Sequence, residues 1–337
     1  MNTPPLVSIC IPTYNRAGII RQTIESALQQ TYKNIEVLVV DNASTDNTPE
    51  IIQTFSDPRL KFFPNKENTG IFGNFNRCID LAKGQYIHIL HSDDYIDPSF
   101  TQTCVHFFEE HPDVSLTFTS ARFTSEDNRK EIYSFPHDHI FTAPEGFRQM
   151  LMQKISIICP SVMVRREVYE GIGKFSPEYP YASDYYQWLT ISRKYTIAYI
   201  RDAWINYRIG DHSETYNYLF RNPMGYLDVL KIYVRLLLDL EGEREKFSDE
   251  LNFDFYQFIK SSLSAGFLRS DQMPYLRASF FSGVATSSLA LVNAGTLKEK
   301  MKKTGFFVLI QISGILMSFS IFRKIGWVVL SQKKQGY

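Results

Sequence analysis

The first half of the chain alternates short apolar segments with segments whose apolar residues recur at helical spacing. The segments between the apolar runs have the periodicity of amphipathic helices, and one begins at Thr48-Pro49, where proline is tolerated in a first turn. This rhythm predicts an α/β fold in which a mostly parallel sheet is flanked by helices. No G-x-G-x-x-G motif follows the first strand, which disfavours a dinucleotide cofactor. The apolar segments that have the length of strands are residues 7–12, 35–40, 60–63, 86–90 and 114–119.

The fourth predicted strand is followed almost at once by two adjacent carboxylates, Asp93 and Asp94. A strand that ends in paired acids puts oxygen ligands at the carboxyl edge of a sheet, where open α/β folds bind their ligands. Proteins hold Mg²⁺ and Mn²⁺ with one or two carboxylates together with substrate phosphates. The pair therefore predicts a site for a divalent cation and a diphosphate. The alternative is an ordinary polar turn.

Polar residues follow three other predicted strands at the same position, in segments 12–16, 41–46 and 65–70. Each segment alone has the composition of an ordinary loop. Because the carboxyl ends of parallel strands meet at one edge of a sheet, we expect all of them to line one crevice with the paired acids. This arrangement predicts the binding of a polar, phosphorylated ligand.

Four segments carry a resemblance to a known family. They are VSICIPTYNR from residue 7, VLVVDNASTDNT from residue 37, NKENTGIFGNFNRCIDLAKGQYIHILHSDD from residue 65 and CPSVMVRREVYEGIGKFSPEYPYASDYYQWL from residue 159. From about residue 7 to about residue 213 the chain resembles glycosyltransferase family 2. The resemblance implies the Rossmann-like GT-A fold and transfer of a sugar from a nucleotide diphosphate sugar, for which a UDP-linked donor is expected.

The resemblance assigns donor and cation binding to residues at the strand ends. Asp41 would pair with a ring N–H of the base, Asp93 would face the ribose and the cation, and Asp94 would ligate the cation directly. The implied cofactor is Mg²⁺ or Mn²⁺. The residues implied in donor binding are Pro12, Thr13, Tyr14, Asn15, Arg16, Asp41, Lys66, Asn68 and Asp93.

One residue departs from the family pattern at the acid pair. Most members have aspartate where this chain has His91, two residues before Asp93. The imidazole is a softer cation ligand, a hydrogen-bond donor to phosphate, or a packing replacement, and we favour packing. The pair that remains still meets the minimal requirement for the cation.

The resemblance also implies a catalytic base, Asp184, which follows the segment Gly173-Lys174-Phe175 that would floor the acceptor site. The family's usual glutamate before this acid is replaced by Ser183. Such a base takes the proton of the acceptor hydroxyl, so a single displacement with inversion at the anomeric carbon is expected. A second role as N-cap of a helix over residues 185–194 is compatible with the first.

The segment from Tyr207 to Ser213 resembles the element that closes the family's catalytic region. In that role Arg208 and His212 would reach the donor diphosphate or the cation. A surface turn after an edge strand is the alternative. Together with His91, these two residues are further candidates for the site.

The overall charge balance excludes one class of partner. The chain has 36 basic and 36 acidic residues, so it presents no basic field for nucleic acid. The four cysteines are far apart and lack the spacing of metal ligands, which predicts buried thiols in a reducing compartment. The N-terminus has no basic-then-apolar signal, so we expect the catalytic part in the cytoplasm.

The C-terminal region differs from the rest of the chain. From residue 298 onward there are eight Lys or Arg and one acid, Glu299. Nineteen uncharged residues, 304–322, lie between Lys303 and Arg323 and include several polar side chains, which makes a membrane span marginal. A helix lying in the membrane interface fits the flanking basic residues. The alternatives are a single span and a helix of the C-terminal core.

These observations predict three regions and one leading function. The regions are a GT-A domain at 1–215, a helical extension at 216–300 and a membrane-associating tail at 301–337. The predicted activity is inverting transfer of a sugar to a glycan or lipid-linked acceptor in cell-surface polysaccharide synthesis, at the inner face of the membrane. The alternative, motivated by His91 and Ser183, is a non-catalytic nucleotide-sugar-binding or scaffolding protein of the same fold.

Overall fold

The predicted strands lie side by side in one sheet in the computed structural model. The structure describes residues 3–124, 129–209, 224–240, 243–247 and 249–250. The chain divides into two compact units, residues 1–257 and 258–337, and all described residues belong to the first.

Four parallel strands form the half of the sheet that contains the predicted crevice. Their order is β3-β2-β1-β4, and the register aligns Thr13 with Asp41 and Asp41 with Pro64. Helices cover both faces of such strands, which explains why every residue of the first two is buried. The strands are β1 (Val7–Thr13), β2 (Ile35–Asp41), β3 (Leu60–Pro64) and β4 (Tyr86–Ile89).

The second half of the sheet is mixed. Strand β9 is antiparallel to both β4 and β6, and β6 is parallel to β10. Strands β6 and β10 therefore run in the same direction as β4. Strands β5, β7 and β8 pair antiparallel at the margins. The elements are β5 (Tyr95–Ile96), β6 (Val114–Thr124), β7 (Arg129–Ile132), β8 (His139–Phe141), β9 (Met163–Arg165) and β10 (Thr196–Arg208). The predicted mostly parallel α/β sheet is thereby confirmed.

Apolar layers on the two faces of the sheet hold the helices in place. Helices α1, α2 and α4 contribute to one layer, and α3, α5, α6, α7 and α8 contribute to the other. The helices are α1 (Ile20–Leu28), α2 (Thr48–Gln53), α3 (Ile71–Leu81), α4 (Phe100–Glu110), α5 (Glu145–Leu151), α6 (Arg166–Ile172), α7 (Ser183–Lys194) and α8 (Met224–Asp239), with short 3₁₀ turns at Cys159–Ser161 and Arg244–Phe247.

The start of the predicted helical extension packs on the same core as the sheet. Ile232, Tyr233 and Leu236 of α8 are buried in the layer that also contains Trp188 of α7. The predicted boundaries at residues 215 and 300 stay predictions, and the tail at 301–337 lies outside the described residues. Within the described ranges, no helix combines the length and apolar character that crossing a bilayer requires.

The four cysteines are buried and free, as predicted. Cys10 lies on β1, Cys78 on α3 and Cys104 on α4, while Cys159 begins the 3₁₀ turn that precedes β9. Burial raises the pKa of the Cys104 thiol to about 12, so this side chain behaves as an apolar core group.

Candidate active site

The loops after β1 and β2 are joined by hydrogen bonds at the edge where the two strands end. The backbone N–H of Asn15 donates to Oγ of Ser44 at 2.9 Å, and the N–H of Thr45 donates to Oδ1 of Asn15 at 2.8 Å. Asn15 has a positive φ of 52°, and helix α1 begins five residues later at Ile20. Its side chain therefore fixes the neighbouring loop and does not cap the helix.

Asp41 lies at the end of β2, where it is 2% exposed. Its carboxylate accepts hydrogen bonds from the N–H of Ser44 at 3.1 Å and from the hydroxyl of the same residue. Of the residues predicted on the preceding strand, Pro12 and Thr13 are buried at its end, while Tyr14 is 40% exposed beyond it. Predicted donor residues of both strands thus meet at one edge.

The same edge of the sheet also contains an amide network that the sequence analysis did not predict. Nδ2 of Asn42 donates to Oδ1 of Asn68 at 2.8 Å, and Nδ2 of Asn65 donates to Oδ1 of Asn42 at 2.9 Å. Asn74 of α3 completes the network by donating to the Val40 carbonyl at 2.9 Å. The asparagine directly after Asp41 was the available signal. The network fixes the predicted residue Asn68, whereas Lys66 is exposed on the same loop.

Two elements distant in sequence anchor the loop that carries the acid pair. The hydroxyl of Thr23, on α1, donates to the carbonyls of Ser92 and Asp94 at 3.0 and 2.7 Å. At the end of β10, the backbone N–H of Arg208 donates to Oδ1 of Asp94 at 2.8 Å, and its guanidinium donates to the Asp93 carbonyl at 2.9 Å. Arg208 therefore lies at the acid loop, where its side chain holds the backbone. His212 lies outside the described residues.

Asp94 is 1% exposed, and its Oδ2 has no hydrogen-bond partner among the described residues. Burial, followed by the charge of Asp93, raises its pKa well above the usual range, while the Arg208 N–H and charge oppose this shift. One ligand atom each of His91, Asp93 and Asp94 lie within 4.8 Å of one another. The side chains fit a divalent cation, because it would give the buried oxygen a partner and offset the repulsion between the acids.

His91 makes an apolar contact beside the acids. Its ring centroid lies 5.5 Å from that of Phe75, which packs edge-on against Phe175 at the same centroid distance of 5.5 Å. Its Nδ1 is 3.8 Å from Oδ2 of Asp94, beyond hydrogen-bond distance. The ring contact agrees with a packing role.

Asp184 lies in the first turn of α7, which begins at Ser183 and has Ala182 as its N-cap. Its Oδ1 accepts a hydrogen bond from the N–H of Tyr185 at 2.8 Å, so it serves the first turn without being the cap residue. Burial raises the pKa of Asp184 to about 6, although the N–H groups of Tyr185 and of Asp184 itself oppose the shift. A carboxyl with this pKa is suited to accept a proton near neutral pH.

Ring contacts connect the acid loop to the helix that bears Asp184. Phe75 contacts both His91 and Phe175, and the ring centroid of Phe175 lies 5.7 Å from that of Trp188 on α7. Burial, followed by the charges of Asp184 and Asp94, raises the pKa of the Cys159 thiol well above its usual value. The fold thus brings the candidate base and the candidate cation ligand to one region, although 90 residues separate them in sequence.

Comparisons with known proteins show which family the chain belongs to. The family described as "Glycosyl transferase family 2" matches residues 8–173. The UDP-Glc:alpha-D-GlcNAc-diphosphoundecaprenol beta-1,3-glucosyltransferase WfaP of Escherichia coli is 36% identical over 190 residues, which cover 56% of this chain and 71% of that protein. The chain belongs to glycosyltransferase family 2.

Solved structures show the same fold at lower identity. S. aureus TarS 1-349 in complex with UDP has a TM-score of 0.64 and 21% identity, with 83% of this chain and 79% of that chain covered. The mannosyltransferase PcManGT from Pyrobaculum calidifontis, in complex with GDP-Man and Mn2+, has a TM-score of 0.56 and 17% identity, with 93% and 88% covered. The family 2 domain therefore has the GT-A fold that the resemblance implied.

Proposed function

We propose that this family 2 glycosyltransferase transfers a hexose from a UDP-linked donor to a lipid-linked glycan, with inversion at the anomeric carbon. The observation that carries the proposal is the set of ring contacts, through Phe75 and Phe175, that joins the loop of Asp94 to the helix that bears Asp184. Asp94 suits the role of cation ligand because its buried Oδ2 has no hydrogen-bond partner among the described residues. Asp184 suits the role of proton acceptor because burial raises its pKa to about 6.

The donor binds along the ends of β1, β2, β3 and β4 in this proposal. Asp41 and the loop of Thr13 to Arg16 hold the nucleoside, while Asn68 lies beside them through its bond to Asn42. The UDP-Glc named for WfaP and the UDP bound to TarS support a UDP-linked donor. The two carboxylates Asp93 and Asp94 hold Mg²⁺ or Mn²⁺, and the Mn2+ in PcManGT supports this assignment.

Each group contributes a separate part of the chemistry. The cation, when bound, neutralises the charge of the leaving diphosphate. Asp184 accepts the proton of the acceptor hydroxyl as the new glycosidic bond forms and the bond to the diphosphate breaks. Arg208 keeps the acid loop in place through the Asp93 carbonyl. Because one carboxylate acts directly on the acceptor, the reaction is a single displacement with inversion.

The acceptor is proposed to be lipid-linked, which puts the protein at the cytoplasmic face of a membrane. Support comes from the diphosphoundecaprenol acceptor named for WfaP and from the basic, apolar tail at residues 301–337. A peripheral association through the tail fits the nineteen uncharged residues flanked by Lys303 and Arg323.

The decisive experiment measures release of UDP from a panel of UDP-hexoses with Mn²⁺ and a polyprenyl-diphosphate-linked sugar as acceptor. Asp184→Asn should lower turnover by about two to four orders of magnitude while donor affinity stays unchanged. The exposed Asp202→Asn serves as the matched control. If the wild-type protein binds UDP but forms no UDP from any of the UDP-hexoses, the non-catalytic alternative is favoured. Full turnover in the Asp184→Asn variant would refute the role of Asp184.

A further inference from the structure

The segment 173–182 leads directly to Asp184 and is held near both of its ends by side chains from elsewhere. Near its start, Asn76 of α3 exchanges two hydrogen bonds with the backbone of Phe175, at 2.8 and 3.0 Å. At its end, the N–H of Tyr181 donates to Oδ2 of Asp228 at 2.7 Å. The N–H of Ala182 donates to the carbonyl of Tyr179 at 3.3 Å.

Asp228 is a buried acid on α8, 47 residues beyond the loop that it contacts. The residue is 2% exposed, and burial raises the pKa of its carboxyl, which the bond from Tyr181 and the ammonium of Lys231 partly offset. Nζ of Lys231 lies 3.4 Å from Oδ1. A buried carboxylate is costly unless it is paired, so its bond to the loop is a specific contact and not an incidental one.

The bond to Asp228 fixes the chain just before the start of α7. The first N–H groups of a helix lack partners within the helix, and a side chain usually supplies one. The N-cap residue, Ala182, has no polar side chain, and Asp184 directs its own carboxylate to the N–H of Tyr185. No side chain caps this end of the helix, so the bond from the Tyr181 N–H to Asp228, one residue before the N-cap, holds the chain that enters it.

We propose that Asp228 is a positioning residue for Asp184, which rests on the proposed role of Asp184 as the base. By fixing Tyr181, the α8 carboxylate sets where α7 begins and therefore where the catalytic carboxylate points. A displacement of about 1 Å at such a group lowers a rate by as much as about a hundredfold. The C-terminal extension thus takes part in the reaction through a defined contact.

The effect is geometric. The pKa of Asp184 is set by burial and by two local N–H groups, so the charge of Asp228 is not required to tune it. Loss of the Asp228 carboxylate should therefore lower kcat without moving the acidic limb of the pH profile. Donor binding, which lies at the strand ends, should be unaffected.

The test compares Asp228→Ala and Asp228→Asn with Asp239→Ala, which removes a carboxylate paired with Arg235 on the same helix. We expect kcat of sugar transfer to fall about ten- to a hundredfold in the alanine variant and about threefold in the asparagine variant, which keeps one acceptor oxygen. The donor KM, the slow hydrolysis of donor and the pH limb should match wild type in both. Asp239→Ala should retain wild-type kcat.

Several outcomes would overturn the inference. A wild-type kcat in Asp228→Ala, or a donor KM that rises together with the loss of kcat, would show that Asp228 is only structural. If the alanine variant does not fold, the asparagine variant decides, and an unchanged kcat there refutes the proposal. The inference can be tested separately from the proposed function. If Asp184→Asn is inactive and Asp228→Ala has the wild-type kcat, only the inference about Asp228 is wrong. If Asp184→Asn is active, the assignment of Asp184 as the base is wrong.

Discussion

The backbone N–H of Arg208 donates a hydrogen bond of 2.8 Å to Oδ1 of Asp94, across 114 residues of sequence. This bond orients the carboxylate from the end of β10 and uses only one of its oxygens. Oδ2 is buried and has no partner among the described residues. Asp94 is thus held in place by one oxygen while the other remains suited to a cation.

Asp94→Asn separates the charge of this residue from its shape. The amide oxygen still accepts the bond from Arg208, but the ligand charge is gone, so turnover should fall by about two to three orders of magnitude. The affinity for Mn²⁺ measured calorimetrically in the presence of UDP should fall by at least about tenfold. Asp113→Asn, an exposed position, is the control. Near-normal Mn²⁺-dependent turnover would contradict the cation assignment.

The raised pKa of Asp184 predicts a pH dependence of stability. With its pKa at about 6 against the usual 3.8, the folded chain binds more protons at this site than the unfolded chain between those values. The contribution of this carboxyl to stability therefore falls as the pH rises through that window. The side chain introduced by Asp184→Asn is neutral at every pH. The Tm of this variant should therefore rise relative to that of wild type from about pH 4 to about pH 6, and the difference should stay constant at higher pH.

Differential scanning fluorimetry from acidic to neutral pH measures this difference without any substrate. Asp202→Asn, an exposed carboxyl, should show no such trend. A Tm difference for Asp184→Asn that does not change with pH would mean that the carboxyl titrates normally in the fold.

His91→Asn tests whether the imidazole packs or ligates. Because two carboxylates suffice for the cation, Mn²⁺-dependent turnover should stay within about threefold of wild type. Tm should decrease because the ring contact with Phe75 is lost. The exposed His106→Asn is the control. A tenfold weaker Mn²⁺ affinity with unchanged Tm would identify His91 as a ligand.

The tail prediction uses the full chain with Lys300, Lys302 and Lys303 all changed to Glu. Each basic residue near an anionic surface contributes about 1 kcal/mol, so co-sedimentation with anionic vesicles should be largely lost. Release of UDP from a UDP-hexose should persist, because the proposed site lies within residues 12–208. The matched control changes Lys130, Lys154 and Lys194 in the same way. Binding that survives in the tail variant would point to a span or to a different contact surface.

The sequence by itself determined the parallel half of the sheet and the position of the polar residues that follow its strands. Short, nearly continuous apolar segments rich in β-branched residues, such as 35–40, favour a strand covered on both faces. Since parallel strands end at one edge, the polar residues that follow them, from Asp41 to Asp94, meet there without further information. The resemblance added Asp184, because its segment lies in a recognisable motif.

Only the tertiary structure decided how these residues are held and tuned. Thr23, Arg208 and Asp228 each form hydrogen bonds to loops that are distant in sequence. The local sequence around each of them predicts only an ordinary helix or strand. Whether a side chain such as Asn15 caps a helix or bonds a neighbouring loop depends on a partner that no local pattern specifies. The raised pKa of Asp184 likewise depends on burial, which is a property of the packed chain. Desolvation arises from every helix and strand that covers a group, and the sequence does not specify how close those elements lie.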